Sequence, residues 1–247
     1  MQPLVGEPAL AAPIIPMADL RSNRIFWTIY NWPNDGHEWS EPWGGTARLF
    51  NVTIFPRIER FLPTNTILEI GCGHGRCSAK LIGKCNKFIG VDIIPACIEF
   101  CARNYGSSQF ILADGKTLPV DSKSVDFVFS WDSLVHCDRE VVGSYLKEIQ
   151  RVLIRNGAGF IHHSNLNHRK ADDAHWRASD MSSEIFIGLC AEAGLSVAGQ
   201  EIISWRGVPN LDCLTLVRNS DGVPKRGGLY TNQNWQAEVA VQSPPQR

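Results

Sequence analysis

The chain has 247 residues, enough for one sizeable α/β domain and an appendage, and its 44% hydrophobic and 20% charged content is that of a globular protein able to bury a core. A net charge of -1 and a pI near 6.6 give no electrostatic footprint for nucleic acid or for an anionic membrane. The Pro- and Ala-rich start, Met1 to Ala18, lacks the basic residues and continuous apolar run of a signal peptide, and no stretch has the length of a transmembrane helix.

Eight cysteines without a C-x-x-C pair, and without a secretory signal, read as reduced thiols of a cytoplasmic protein. Residues 1–20 read as a mobile tail. In residues 21–62, Trp27, Tyr30, Trp32, Trp39, Trp43, Phe50, Phe55 and Phe61 crowd into an aromatic cap. Asn31 to Gly36 is turn chemistry, and Thr46 to Leu62 is helical, with Pro56 expected to kink or split it.

A regular alternation follows over residues 63–218. Strands are expected at Thr66–Ile70, Lys87–Asp92, Gln109–Leu112, Val125–Trp131 and Gly159–His163, with helices at Ser78–Lys84, Pro95–Asn104 and Arg139–Ile154 between them. A helix over Met181–Ala193 and two strands, Leu195–Ser204 and Leu211–Arg218, complete the pattern, and polar residues 219–247 read as a disordered tail. Strands alternating with helices imply a parallel sheet covered on both faces.

Chemistry concentrates between Glu69 and Trp131. The strand Ile67 to Ile70 runs into Gly71, Gly73 and Gly75, where a backbone without Cβ atoms turns tightly and approaches a ligand. Asp92 ends the next strand, where a carboxylate accepts from both hydroxyls of a ribose, and Asp114 with Gly115 ends the third, near an adenine edge. Glu69, just before the glycines, would repel a dinucleotide pyrophosphate but suits a sulfonium cofactor carrying an amino group. The spacing is G-x-G-x-G, not the dehydrogenase G-x-G-x-x-G.

These segments, "ILEIGCGHGR", "IGVDII", "ADGKTLPV", "SVDFVFSWDSLVHC" and "EIQRVLIRNGAGFI", resemble the core of class I S-adenosylmethionine-dependent methyltransferases over residues 66–160. The resemblance implies a Rossmann-like α/β sheet of seven strands, the last antiparallel. It implies Glu69 and Gly71 near the methionine part of S-adenosyl-L-methionine, Asp92 at the ribose, Asp114 and Gly115 near the adenine, and Trp131 at the pocket floor. Cys72, Gly73 and Ile93 count among the cofactor-binding residues with them.

The acceptor side rests on fewer signals. If the acceptor is a hydroxyl, a base is needed near the ends of the fourth and fifth strands. Asp132 follows the fourth strand and His136 stands four residues later. "FIHHSN" places His162 and His163 at the end of the fifth strand, on opposite faces. The expectation is that a histidine there, His163 before His162, takes the proton, with Asp132 orienting it or sharing the task. His136 is read as a loop-packing or substrate-side residue. His168 and the run His175-Trp176-Arg177 belong to a loop that folds over the site, and no ligand spacing supports a metal. Trp39 and Trp43, in "DGHEWSEPWGGTARLF", suggest a lid, or else an apolar cover on the sheet.

"HEWSEPWGGT", "PRIERFLP", "WDSLVHCD", "FIHHSN" and "HWRASDMS" together resemble a bacterial methyltransferase group that modifies saccharides and surface polysaccharides. That resemblance implies O-methylation of a saccharide hydroxyl or a glycan phosphate. The alternatives are a small natural-product phenol or carboxylate as acceptor, or a non-catalytic subunit that resembles a methyltransferase and binds a partner.

Overall fold

The computed structural model describes residues 19–167, 169, 176–205, 208–219 and 226–232. Eight strands form one sheet: β1 (Thr64–Ile70), β2 (Cys85–Asp92), β3 (Gln109–Leu112), β4 (Val125–Ser130), β5 (Leu153–Ser164), β6 (Ser196–Trp205), β7 (Val208–Arg218) and β8 (Arg226–Thr231). Their order is β3-β2-β1-β4-β5-β7-β6-β8. The first five are mutually parallel, and β7 is antiparallel to both β5 and β6. The Rossmann-like class is therefore as the sequence implies, with an eighth strand added parallel to β6. That strand corrects the expectation of a wholly disordered 219–247 tail: residues 226–231 pair along the sheet edge.

The two sheet faces follow from alternation along the strands. Leu68, Ile70, Ile89, Val91 and Val128 point to one face, which the helices Arg139–Val152 and Ser183–Ala193 cover. The first of these is capped by Asp138, whose side chain accepts from Val141 N–H, and it buries Val141, Val142, Tyr145, Leu146, Ile149 and Val152. Burying an aliphatic side chain of this kind stabilises by roughly 1.5–3 kcal/mol. Ile67, Phe88, Phe127, Phe129 and Trp131 point to the other face.

The 21–62 cap divides into two layers. Residues 46–61 are a continuous helical run that lays Leu49, Phe50, Ile54 and Ile58 on the second face. The run is α-helical at Thr46–Arg48, widens to a π-helix at Leu49–Ile54 and returns at Phe55–Ile58. Pro56 neither breaks nor splits it. Its missing N–H and its ring clash fall where the wider turns have already relaxed the spacing. The helix Leu20–Ile29 and the turns through Trp43 lie instead across the C-terminal ends of the strands.

The helix expected over Arg139–Ile154 stops at Val152, and β5 begins at Leu153, so Ile154, Asn156 and Gly157 lie inside a long strand. β5 thereby runs 12 residues and carries both histidines deep into the sheet.

Candidate functional site

One cavity of about 240 Å³ opens beyond the C-terminal ends of β1, β2 and β4. Ligands in open α/β sheets bind at this position. Glu69, Gly71, Cys72, Gly73, Asp92, Ile93 and Trp131 all line it.

The glycine loop is held from both sides. Gly71 has φ +74, and a Cβ there would lie 1.9 Å from Ser133 Oγ, so the loop after β4 packs directly on its backbone. Gly73 has φ +52, and its Cβ position lies 3.0 Å from the Trp32 ring, so the cap rests on the loop. Asp92 ties the loop to the next strand: Oδ2 accepts from Gly73 N–H at 2.8 Å and Oδ1 from Ile94 N–H at 3.0 Å. Burial raises the Asp92 carboxyl above the usual carboxylate range, against the lowering by those two N–H groups. One lone pair on each oxygen is left for a ribose diol.

Glu69 is 3% exposed, and Ser78 Oγ donates to its Oε2. Desolvation pushes its pKa up to about 8, although Ser78 and Arg76 pull the other way. A cationic amino group beside it would restore the charge. These residues fit S-adenosylmethionine: a buried carboxylate for the amino group, another for the ribose, and glycine backbone between.

Asp114 and Gly115 stand outside this lining. Asp114 is exposed, and its carboxylate accepts from Lys116 N–H, Thr117 N–H and Thr117 Oγ. These bonds, led by that from Thr117, hold it below the usual carboxylate range. The Cβ position of Gly115 lies 2.3 Å from Leu20, which lines the cavity in its place.

The expectation for the base requires correction. His163 faces the helix Ser183–Ala193, not the cavity. Its ring stacks on Phe186 at 3.9 Å, Nδ1 donates to Ser164 O at 2.9 Å, and Nε2 accepts from Thr215 Oγ1 at 2.8 Å. Desolvation drives its pKa down to about 3. Two saturated nitrogens in a dry core make a packing residue, not a proton acceptor. His162 is also fully buried, behind Trp131. Its Nδ1 accepts from Asp132 N–H at 3.2 Å and its Nε2 donates to Asp212 at 3.0 Å, so both nitrogens are committed.

Asp132 lines the cavity but is locked as an ion. Arg76 lies 3.2 Å from Oδ2 and Arg177 lies 3.3 Å from Oδ1. Burial pushes its carboxyl up, but Arg177, Arg76 and His162 outweigh that and hold it below the usual range. Arg177 is paired again to Asp212, at 2.9 Å. Asp132 therefore belongs to a buried chain, Arg76–Asp132–Arg177–Asp212–His162, that fixes the loop after β4, with Asp132 itself at φ 55.

Beside His74, whose ring stacks on Trp32 and Phe100, the other histidine that lines the cavity is His136. It is 5% exposed and sits beside Trp27, with ring centroids 5.7 Å apart. Nδ1 donates to Trp176 O at 3.1 Å, which leaves Nε2 as the acceptor nitrogen, and no described residue bonds to it. Desolvation first, then Arg177, lowers its pKa to about 4, so the ring is neutral at neutral pH.

Trp39 and Trp43 line the cavity, and Trp43, 8% exposed, joins the second-face core as well. His168 and His175 lie outside the described residues; Trp176 and Arg177 line the cavity. Asn23, Trp27, Trp32, Glu38 and Arg76 also line it and were not singled out as site residues from sequence. The one available signal was the density of indoles in 21–62. Among the described residues no group of three His, Cys, Asp or Glu side chains could hold a metal, and no helix is long and apolar enough to cross a membrane.

Residues 67–157 match the family model described as a methyltransferase domain. Phosphoethanolamine N-methyltransferase 3 of Arabidopsis thaliana is 30% identical over 144 residues, 53% of this chain and 29% of that protein. The biotin biosynthesis bifunctional protein BioHC of Cellvibrio japonicus is 27% identical over 118 residues, 47% of this chain and 23% of that protein. The chain thus spans less than a third of the length of these two curated relatives. Among solved structures, the N-methyltransferase NodS from Bradyrhizobium japonicum WM9, in complex with S-adenosyl-L-homocysteine, shares the fold: TM-score 0.55, 15% identity, 78% of this chain and 92% of that one.

Proposed function

We propose that the chain, whose residues 67–157 match a methyltransferase domain, transfers a methyl group from S-adenosylmethionine to a hydroxyl of a small-molecule acceptor, with His136 taking the proton. When bound, S-adenosylmethionine supplies an electrophilic methyl group on a sulfonium sulfur, and that sulfur keeps the electrons of the broken C–S bond. The chain's own residues orient, exclude water and accept the proton. Glu69 and Asp92 hold the cofactor's amino group and ribose, and the Gly71–Gly73 backbone lets it lie close. Trp27, Trp32, Trp39 and Trp176 wall the acceptor space. His136 Nε2 receives the acceptor proton as the oxygen–carbon bond forms, and Trp176 O steadies the imidazolium through Nδ1–H.

The observation that carries this reading is the unclaimed Nε2 of His136, in a cavity whose Asp132, Arg76 and Arg177 are already tied up in ion pairs. Indole faces stack on the C–H faces of sugar rings, which supports a saccharide as the hydroxyl's source. A glycan phosphate or a carboxylate acceptor fits less well, since the lining arginines, Arg76 and Arg177, are already paired with Asp132 and Asp212. The test is calorimetry with S-adenosylmethionine followed by methyl transfer from labelled cofactor to a panel of saccharides, phenols and carboxylates. Cofactor binding with turnover only on the carboxylates would overturn the hydroxyl reading.

A further inference from the structure

The cap contributes a polar pair to the cavity wall that no described residue satisfies. Glu38 Oε1 accepts from Tyr30 OH at 3.0 Å, but Glu38 Oε2 is buried with no hydrogen-bond partner. The adjacent Trp39 Nε1 is buried without an acceptor as well. Both residues line the cavity. Around them stand Trp27, Trp32 and Tyr30, with Tyr30–Trp32 and Tyr30–Trp39 centroids 5.2 and 5.5 Å apart and Trp27–Trp39 centroids 6.2 Å apart.

A carboxylate oxygen removed from water without a donor is costly, and so is a buried indole N–H without an acceptor. Neither cost is met inside the protein. The ligand that relieves both carries a donor for Glu38 and an acceptor for Trp39 close together. The surrounding ring faces present negative charge, so they attract a cationic donor and repel an anion. Glu69 already stands beside Gly71 for the cofactor's own ammonium, which leaves Glu38 for another.

Resting on the methyltransferase reading above, we propose that the acceptor is a 1,2-amino alcohol whose protonated nitrogen pairs with Glu38 and whose neighbouring oxygen accepts from Trp39 Nε1–H. An amino sugar and an acyclic amino alcohol share this chemistry. The hydroxyl to be methylated then faces His136 from the same seat.

The test uses the full chain saturated with S-adenosylhomocysteine and two matched probe pairs: glucosamine against glucose, and ethanolamine against ethylene glycol. Each pair differs by an ammonium in place of a hydroxyl. Ligand-observed NMR should show one amine binding at least about tenfold tighter than its neutral counterpart, and the pair that shows it names the source. Glu38→Gln, nearly isosteric, should erase that preference while S-adenosylhomocysteine affinity stays within about threefold. Equal binding within both pairs would overturn the proposal. So would a preference that survives Glu38→Gln, or a larger loss of S-adenosylhomocysteine affinity in that variant, which would assign Glu38 to the cofactor. The same pairs measured without S-adenosylhomocysteine keep the two readings separable. Failure of the wild-type chain to bind S-adenosylhomocysteine removes the cofactor assignment, whereas an amine preference in the free protein still supports Glu38.

Discussion

On its cofactor side the cavity is assembled from a short run of chain, Glu69 to Ile94, in which one strand, a glycine turn and the end of the next strand supply the contacts in order. On its acceptor side Trp27, Glu38, His136 and Arg177 come from segments far apart, brought together by a cap lying across the strand ends. The first side is nearly all backbone and carboxylate geometry that the parallel sheet imposes. The second is made by side chains whose roles depend on which neighbours have already claimed them. Three histidines show this: His162 and His163 have both nitrogens taken, whereas His136 keeps one.

The sharpest way to break this contrast is His136→Ala. General-base catalysis contributes about 10²–10⁴-fold, so turnover should fall by that factor while S-adenosylmethionine affinity stays within about twofold. Because burial and Arg177 lower the His136 pKa to about 4, the wild-type rate should rise with pH through about 4 and flatten well below neutrality. Turnover unchanged in the variant would remove His136 from the chemistry and leave an acceptor that needs no protein base.

The next largest effect belongs to the cofactor side. Asp92→Ala removes a charged acceptor for the ribose, worth about 1.5–3 kcal/mol, and so should weaken S-adenosylmethionine binding by roughly 10- to 150-fold in calorimetry. It also frees Gly73 N–H, so the loop's melting transition is measured alongside. A variant that stays folded and binds like wild type would sink the ribose assignment.

His163→Gln tests the opposite claim, that a conspicuous histidine is structural. Turnover per folded molecule should stay within about twofold, and stability should drop by about 1–3 kcal/mol as the stack on Phe186 is lost. The pH dependence follows from its lowered pKa of about 3. As pH falls from the unfolded value of about 6.5 towards 3, the unfolded chain binds a proton that the folded chain refuses, so stability is lost by about 1 kcal/mol per pH unit for this group. The variant's stability should fall less steeply with pH across that window in denaturant titrations. An equal slope would mean that His163 titrates normally.

What sequence could and could not disclose follows the same division. Strand alternation, the glycine turn, Glu69 and Asp92 are read locally, because hydrophobic period and residue spacing determine them. The "HH" pair at the end of β5 misled because a pair of polar residues in an apolar strand signals use, but not which use. Thr215 on β7 and Asp212 claim those rings, from a strand about 50 residues away that no local pattern connects to them. His136 looked like loop filler for the converse reason: its value comes from Trp176 O holding Nδ1 and from Trp27 beside the ring. The indoles of 21–62 announced a cover, but the division into a cavity wall and a sheet-packing helical run falls at Gly44 and Gly45, both at positive φ, between Trp43 and Thr46.

The smallest expected effect refines the cofactor side itself. Asp114 follows β3, where an adenine edge was anticipated, yet its carboxylate accepts from Lys116 N–H, Thr117 N–H and Thr117 Oγ1 and does not line the cavity. Arg24 donates to its carbonyl oxygen at 2.8 Å, and Leu20 covers Gly115, so the wall here is made by the helix Leu20–Ile29 resting on the β3 loop. Asp114→Ala should therefore act through the loop, lowering S-adenosylmethionine affinity by no more than about threefold, well short of Asp92→Ala. Leu20→Ala, which opens the wall without touching a polar group, should cost at least as much. A loss for Asp114→Ala as large as that for Asp92→Ala, with Leu20→Ala near wild type, would return the carboxylate to the adenine and place the cap's first helix outside the cofactor site.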